Sequence, residues 1–227
     1  MGLLQETCDA IHSRNKEIEQ HIIKNWNDMS DIKQYGRLVN MVAQYGAATI
    51  QENVTIPKPC MIIASADHGV ADMGVSAYPK ETTVGMTQNY LIPKGAGANS
   101  LANYCGATME VIDMGIDADM SWVPGLRSHK LGMGTKNFVE EPAMTREQAI
   151  EGIETGIKLV QEKMVDGYNV FLVGEMGISN TTASALMTAK FAGLTAEEAT
   201  GRGTNISDKR LKLKQRIVHD VLVKYQD

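Results

Sequence analysis

Apolar residues recur at helical spacing through the first fifty positions. Ile11, Ile18, Ile22 and Ile23 share one stripe, and Leu38, Val39, Val42 and Tyr45 share another. The polar MSD stretch at 29–31 separates the two, so helical structure is expected to about Gln51. PCMIIASA (59–66) is a short apolar run closed by Asp67-His68-Gly69, the pattern of a buried strand entering a loop. GVSAYPKETT (74–83) reads as loop and VGMTQNYLI (84–92) as helix. GAGANSLANYCG (95–106) reads as a second helix with a glycine stop. ATMEVIDMG (107–115) is the next strand, and an irregular region with Gly125, Gly132 and Gly134 fills 116–141. The segment 144–167 is amphipathic, with Thr145 and Gln148 spaced as a capping box. YNVFLVG (168–174) is the third strand, and a helix with a basic face closes the chain at about 207–226.

Strands alternating with helices predict an α/β fold with a mostly parallel sheet, Rossmann-like and three-layered. Residues 1–50 are expected to form an N-terminal helical segment, and 51–227 the α/β domain. Only three strands are convincing, whereas a doubly wound sheet normally has five or six. Either weak strands lie within 116–141 or the chain is the front part of a longer one, and the second reading is preferred.

Composition narrows the classes. Of 227 residues, 43% are apolar and 22% charged, the balance of a soluble globular protein. No apolar run approaches the roughly 18–20 residues of a membrane span, and the start is too polar for a signal peptide. Cys8, Cys60 and Cys105 form no CxxC pair, which points to a reducing compartment and a cytoplasmic protein. From Gly201 onward seven basic residues face three acidic ones, a net +4. The preceding 200 residues therefore carry -9 of the chain's net -5. That distribution argues against nucleic-acid binding and suits a small phosphate-bearing ligand, although it also fits a solvated helix face.

In open parallel sheets ligands bind beyond the carboxyl ends of the strands. Asp67 and His68 follow the first strand, Asp113 the second and Glu175 the third. Loop-amide bonding by the two aspartates and an ordinary loop histidine are the plain alternatives. In GEMGISNTTASAL (174–186) a strand meets a glycine pair, Gly174 and Gly177, and then Asn180, Thr181 and Thr182 open a helix. Such a turn presents N–H groups and hydroxyls to an anion, though Asn and Thr also cap helices that have no ligand. GRGTNISDKRLKLK (201–214) adds Gly203 and Asn205, with Arg210 and Lys214 one helical turn apart, suited to phosphate. No Walker A loop, dinucleotide fingerprint, HExxH or GxSxG is present. A metal held by Asp67, His68 and Asp113 would make the protein a hydrolase of another class. Most of the fourteen methionines read as core filler, although Met73, Met86, Met176 and Met187 flank the proposed loops.

Taken in order, ADHGVADMGVSAYPKETT, VIDMGIDAD, GMGTKNFVEEPAMT, GEMGISNTT and GRGTN followed by Arg210 and Lys214 resemble the nicotinate-nucleotide–dimethylbenzimidazole phosphoribosyltransferases of cobalamin biosynthesis. The resemblance covers about residues 36–214. It implies a cytoplasmic homodimer that needs no cofactor or metal. Such an enzyme moves phosphoribose from nicotinate mononucleotide to 5,6-dimethylbenzimidazole, releasing nicotinate and forming α-ribazole 5'-phosphate with inversion. It further implies that Glu175 and the glycine–threonine loop approach the ribose phosphate, with Lys214 beside the same nucleotide. Asp67, His68, Ser76, Tyr78 and Met86 are expected at the acceptor base. No nucleic acid or membrane partner is implied.

Three departures from the family pattern matter. The family's catalytic base is a glutamate in the C-terminal portion, expected beyond Asp227. The family's proline–glycine–serine–leucine loop is missing before Gly36-Arg37-Leu38, where this chain reads IKQYGRL. Gly85-Met86 replaces a common glutamine. The acceptor is thereby open between a benzimidazole, another base and a phenol. A non-catalytic nucleotide-binding module or partner subunit is the competing reading.

Overall fold

The computed structural model describes residues 2–29 and 35–226. The rest of the break expected at 29–31, and the first residues of IKQYGRL, lie outside them. The chain divides into two compact units, Met1–Pro57 and Lys58–Asp227.

The first unit holds α1 (Leu3–Asp9), α2 (Lys16–Met29) and α3 (Leu38–Thr49). Ile18 and Ile22 of α2 meet Ala43 of α3, with Trp26, Val42 and Val54 around them. Ile11 departs from the expected stripe. It lies between helices and is 72% exposed, because the Asn15 side chain accepts from the amides of Glu17 and Ile18 and starts α2 afresh.

The second unit is built on a four-stranded, wholly parallel sheet. Its strands are β1 (Pro59–Ala66), β2 (Thr108–Gly115), β3 (Arg127–Ser128) and β4 (Val170–Met176), in the order β3-β2-β1-β4. The irregular region does contain a weak strand, the two-residue β3. β4 runs two residues further than the apolar pattern alone suggests, since Glu175 and Met176 pair with Ala64 and Ser65 of β1.

After β1 come a short 3-10 helix (Gly69–Met73), α4 (Thr82–Leu91) and α5 (Gly97–Cys105). α6 (Arg146–Val165) precedes β4, and α7 (Asn180–Ala192), α8 (Ala196–Ala199) and α9 (Asp208–Lys224) follow it. Asn99 of α5 donates to the Met109 sulfur, whereas Lys163 of α6 pairs with Glu110 at 2.5 Å. Successive strand residues point to opposite faces, so α5 and α6 cover opposite sides of β2. The result is three layers.

Thr145 accepts from the Gln148 amide, and Gln148 returns the bond to the Thr145 amide, so the expected capping box starts α6. α7 and α9 pack through Ala183, Leu186, Ile217 and Val221 around Val70, Val75 and Phe138. No helix among the described residues is long and apolar enough to cross a membrane.

Candidate functional site

At the carboxyl edge of the sheet, the end of β4 turns sharply into α7. Gly177 occupies the turn. A Cβ there would stand 2.7 Å from Glu175 Oε1 and closer still to the Ala66 carbonyl oxygen, so a side chain is excluded by backbone. The turn, Val75-Ser76 and the loop Arg202-Gly203-Thr204 enclose a cavity of about 260 Å³, with Met176, Asn180 and Thr181 in its wall. Gly203, at φ 69°, passes so close to Thr181 that a Cβ would meet its Oγ1 at 2.5 Å. Thr204 Oγ1 accepts from the Ala77 amide, and the Ile178 amide donates to Thr83 Oγ1 of α4. Three segments far apart in sequence are thereby locked around one space.

Lys214 stands behind this wall. It is 1% exposed, and its Nζ donates to Thr181 Oγ1 at 2.6 Å and to the Gly201 carbonyl at 3.1 Å. Burial alone pushes its pKa below the ordinary lysine value, with no carboxylate among the described residues shifting it back. A buried ammonium without a counter-charge is costly. An anion in the adjoining cavity would supply that charge through Thr181.

Glu175, on the opposite face of β4 from Met176, accepts from Asn180 Nδ2 through Oε2 and meets His68 Nε2 at 2.9 Å through Oε1. His68 and Glu175 also line a second, mainly apolar cavity of about 210 Å³, walled by Ala64, Met114, Leu131 and Met144. Glu175 thus joins the β4–α7 turn to the loop after β1.

The residues expected at the phosphate divide. Gly177, Asn180, Thr181 and Gly203 line the first cavity, Thr182 is fully buried and does not line it, and Lys214 stands behind Thr181. Gly174 lies within β4, opposite Ile63, and does not line it. Asn205 is exposed on the loop beyond. Arg210 does not line the cavity but donates to the carbonyl of Ser76, which does, at 3.0 Å.

The residues expected at the acceptor base are not gathered in one place. Ser76 lines the first cavity and His68 the second. Tyr78 is exposed near the first, and Met86 is half-buried on α4. Asp67 lines neither cavity: 3% exposed, it accepts from the Asp117 amide at 2.8 Å. Asp113 likewise accepts from the amides of Gly115 and Ile116 and pairs with Lys130 at 3.1 Å. Both aspartates organise loops. Among the described residues no three His, Cys, Asp or Glu side chains gather as a metal ion requires, so the Asp67–His68–Asp113 hydrolase reading has no support in the geometry.

Among the wall residues that the sequence reading missed are Arg202 and Ser179. Arg202 sits between the two glycines of GRGTN, and its guanidinium donates to the Ile206 carbonyl at 2.7 Å and pairs with Asp208. Its position in a glycine-flanked loop was the available signal. Ser179, just before α7, gave none.

A parallel sheet with a helix N-terminus, a glycine turn and a buried lysine around one cavity at its carboxyl edge defines an α/β protein with a candidate site for an anionic ligand. Comparison with known proteins makes this specific. A family model described as phosphoribosyltransferase matches residues 11–227. The nicotinate-nucleotide–dimethylbenzimidazole phosphoribosyltransferase of Geobacter metallireducens is 42% identical over 223 residues, covering 98% of this chain and 63% of that protein. The enzyme of the same name from Chloroflexus aggregans is 42% identical over 84% of this chain and 54% of its own length. The solved structure of CobT from Thermus thermophilus superposes with a TM-score of 0.82 at 32% identity, covering 92% of this chain and 62% of that one. The chain belongs to the nicotinate-nucleotide–dimethylbenzimidazole phosphoribosyltransferase family. It spans between about half and two thirds of the length of these relatives.

Proposed function

We propose that the protein is a pentosyltransferase that moves the phosphoribosyl group of nicotinate mononucleotide to 5,6-dimethylbenzimidazole or a related base. The products are α-ribazole 5'-phosphate and nicotinate, the step that activates the lower ligand of cobalamin. The observation that carries this reading is the buried, uncompensated ammonium of Lys214 directly behind a cavity walled by the β4–α7 turn.

In this reading the phosphate of the nucleotide sits against Asn180, Thr181 and Gly203, and Lys214 supplies charge through the Thr181 hydroxyl. Glu175 faces the ribose and fixes Asn180. The acceptor enters beside Ser76 and Tyr78. The bond between the anomeric carbon and the pyridine nitrogen breaks through an oxocarbenium-like centre, and nicotinate leaves with the bonding pair. The unprotonated ring nitrogen of the acceptor forms the new bond on the opposite face, and the other ring nitrogen gives up its proton to a base. The contribution of these residues is positioning, which in the best intramolecular cases is worth roughly 7–11 kcal/mol.

Both Glu175 oxygens are engaged, by His68 and Asn180, which favours a holding role over that of the base. The same observation lends weight to the second reading, a non-catalytic nucleotide-binding module. We further place the protein in the cytoplasm as a homodimer whose first fifty residues belong to a small helical domain, on the strength of the family resemblance.

The test is twofold. Titration calorimetry with nicotinate mononucleotide should show saturable binding that is lost in Thr181→Val. An assay of nicotinate release in the presence of 5,6-dimethylbenzimidazole separates the readings: turnover supports the transferase, and binding without turnover supports the module. Absence of nucleotide binding would sink both.

A further inference from the structure

Ser179 is placed against its own conformational preference. It is the N-cap of the 13-residue α7, yet it sits in the left-handed region at φ 77°, ψ 6°. That region suits glycine and strains residues with a Cβ. A serine N-cap ordinarily has extended backbone and accepts from an amide of the first turn. Ser207 at α9, Thr145 at α6 and Thr195 at α8 each do so in this chain, whereas the Ser179 side chain makes no capping bond.

The hydroxyl has no other outlet. Ser179 is 7% exposed, its Oγ is buried without a hydrogen-bond partner, and the residue lines the cavity at the α7 N-terminus. A buried hydroxyl left unpaired and a strained backbone both oppose folding. Glycine would relieve both at once. What serine adds is one hydroxyl, on a residue of the same cavity wall as Asn180 and Thr181.

We propose that Ser179 is a phosphate-binding residue, its hydroxyl donating to a phosphate-ester oxygen seated between the α7 N-terminus and Thr181. The inference rests on the reading of this cavity as the nucleotide site. Strain at this position is then held in the empty protein for an interaction made only when the anion is bound. Serine here also sets specificity, since its single donor distinguishes a phosphorylated ligand from the corresponding nucleoside.

The test compares the parent chain with Ser179→Gly and Ser179→Ala by calorimetry and thermal melting. The ligands are nicotinate mononucleotide and nicotinate riboside, which lacks the phosphate. In Ser179→Gly the ligand-free melting temperature should stay level or rise, while affinity for the mononucleotide falls about tenfold, the scale of one hydrogen bond to a charged group. Affinity for the riboside should be unchanged. Ser179→Ala keeps the backbone strain but removes the unpaired hydroxyl, so it should lose the same affinity with a smaller gain in melting temperature than Ser179→Gly. Equal mononucleotide affinity in Ser179→Gly and parent overturns the role of Ser179 and leaves the site reading intact. Equal losses for mononucleotide and riboside, or a sharp fall in melting temperature alongside the loss, would show that the residue merely shapes the turn. Failure of the parent chain to bind the mononucleotide overturns the inference together with the site reading.

Discussion

Lys214 Nζ donates to Thr181 Oγ1 at 2.6 Å across 33 residues of sequence, and the ammonium is closed off from solvent. The Thr181 hydroxyl thereby accepts from the ammonium and keeps its own proton to donate. A charge that is expensive to bury is thus converted into a donor on the cavity wall.

Replacing Lys214 with methionine removes the charge and keeps most of the volume. Buried charges exchanged for apolar groups of similar size are often neutral or stabilising. The melting temperature of Lys214→Met should therefore hold or rise, while affinity for nicotinate mononucleotide falls about tenfold or more. Calorimetry beside a thermal melt checks both, and undiminished affinity would remove Lys214 from the site.

The depressed pKa of Lys214 gives binding an alkaline limit. Affinity should rise as the phosphate takes its second charge near pH ~6, then decline at a pH below the ordinary lysine value of about 10.4 as Lys214 loses its proton. Bound phosphate favours the charged form, so binding above the folded pKa takes up a proton. Stability has the opposite sign. The unfolded chain holds the lysine proton more tightly, so this group adds stability as pH climbs from the folded pKa toward the unfolded one. A pH series of titrations on the parent and Lys214→Met should show the alkaline decline in the parent alone.

Gly177→Ala drives a methyl group into the Ala66 carbonyl. Overpacking of this kind costs about 1–3 kcal/mol, and the shifted turn should abolish nucleotide binding. Gly156, exposed within α6 with open space where a Cβ would stand, supplies the contrast. Gly156→Ala should stabilise by about 0.5–1 kcal/mol and leave binding alone. Urea denaturation of both variants measures the difference.

Glu175→Gln keeps one acceptor oxygen, so only one of the contacts to His68 and Asn180 survives intact. A stability loss of about 1 kcal/mol is expected, with weaker mononucleotide binding because Asn180 is no longer held at the head of α7. Normal binding together with lowered stability would mean that Glu175 serves only its own loop.

Much of this architecture is local and was therefore legible. The apolar run at 59–66 is a strand, because an inner strand of a parallel sheet with helices packed on it calls for apolar residues toward both faces. Thr145 and Gln148 start α6, because the capping box closes within four residues. The glycine–asparagine–threonine stretch after β4 could likewise be read, from neighbouring residues alone, as a tight turn opening a helix.

What a long side chain faces is decided by segments that are distant in sequence. Arg210 and Lys214 lie one turn apart on α9, yet one holds the Ser76 carbonyl across 134 residues and the other is sealed behind Thr181. Helical periodicity puts them on one face and says nothing of which partner each meets. β4 ends two residues later than its apolar pattern because pairing with β1 continues past it, which sets Glu175 and Met176 on opposite faces of the sheet. Neighbouring residues fix three of the four strands, most of the longer helices and the residue types brought to the sheet edge. Only the tertiary structure decided the burial of Lys214 and the strain of Ser179, because desolvation and backbone crowding depend on what packs around a group and not on its neighbours along the chain.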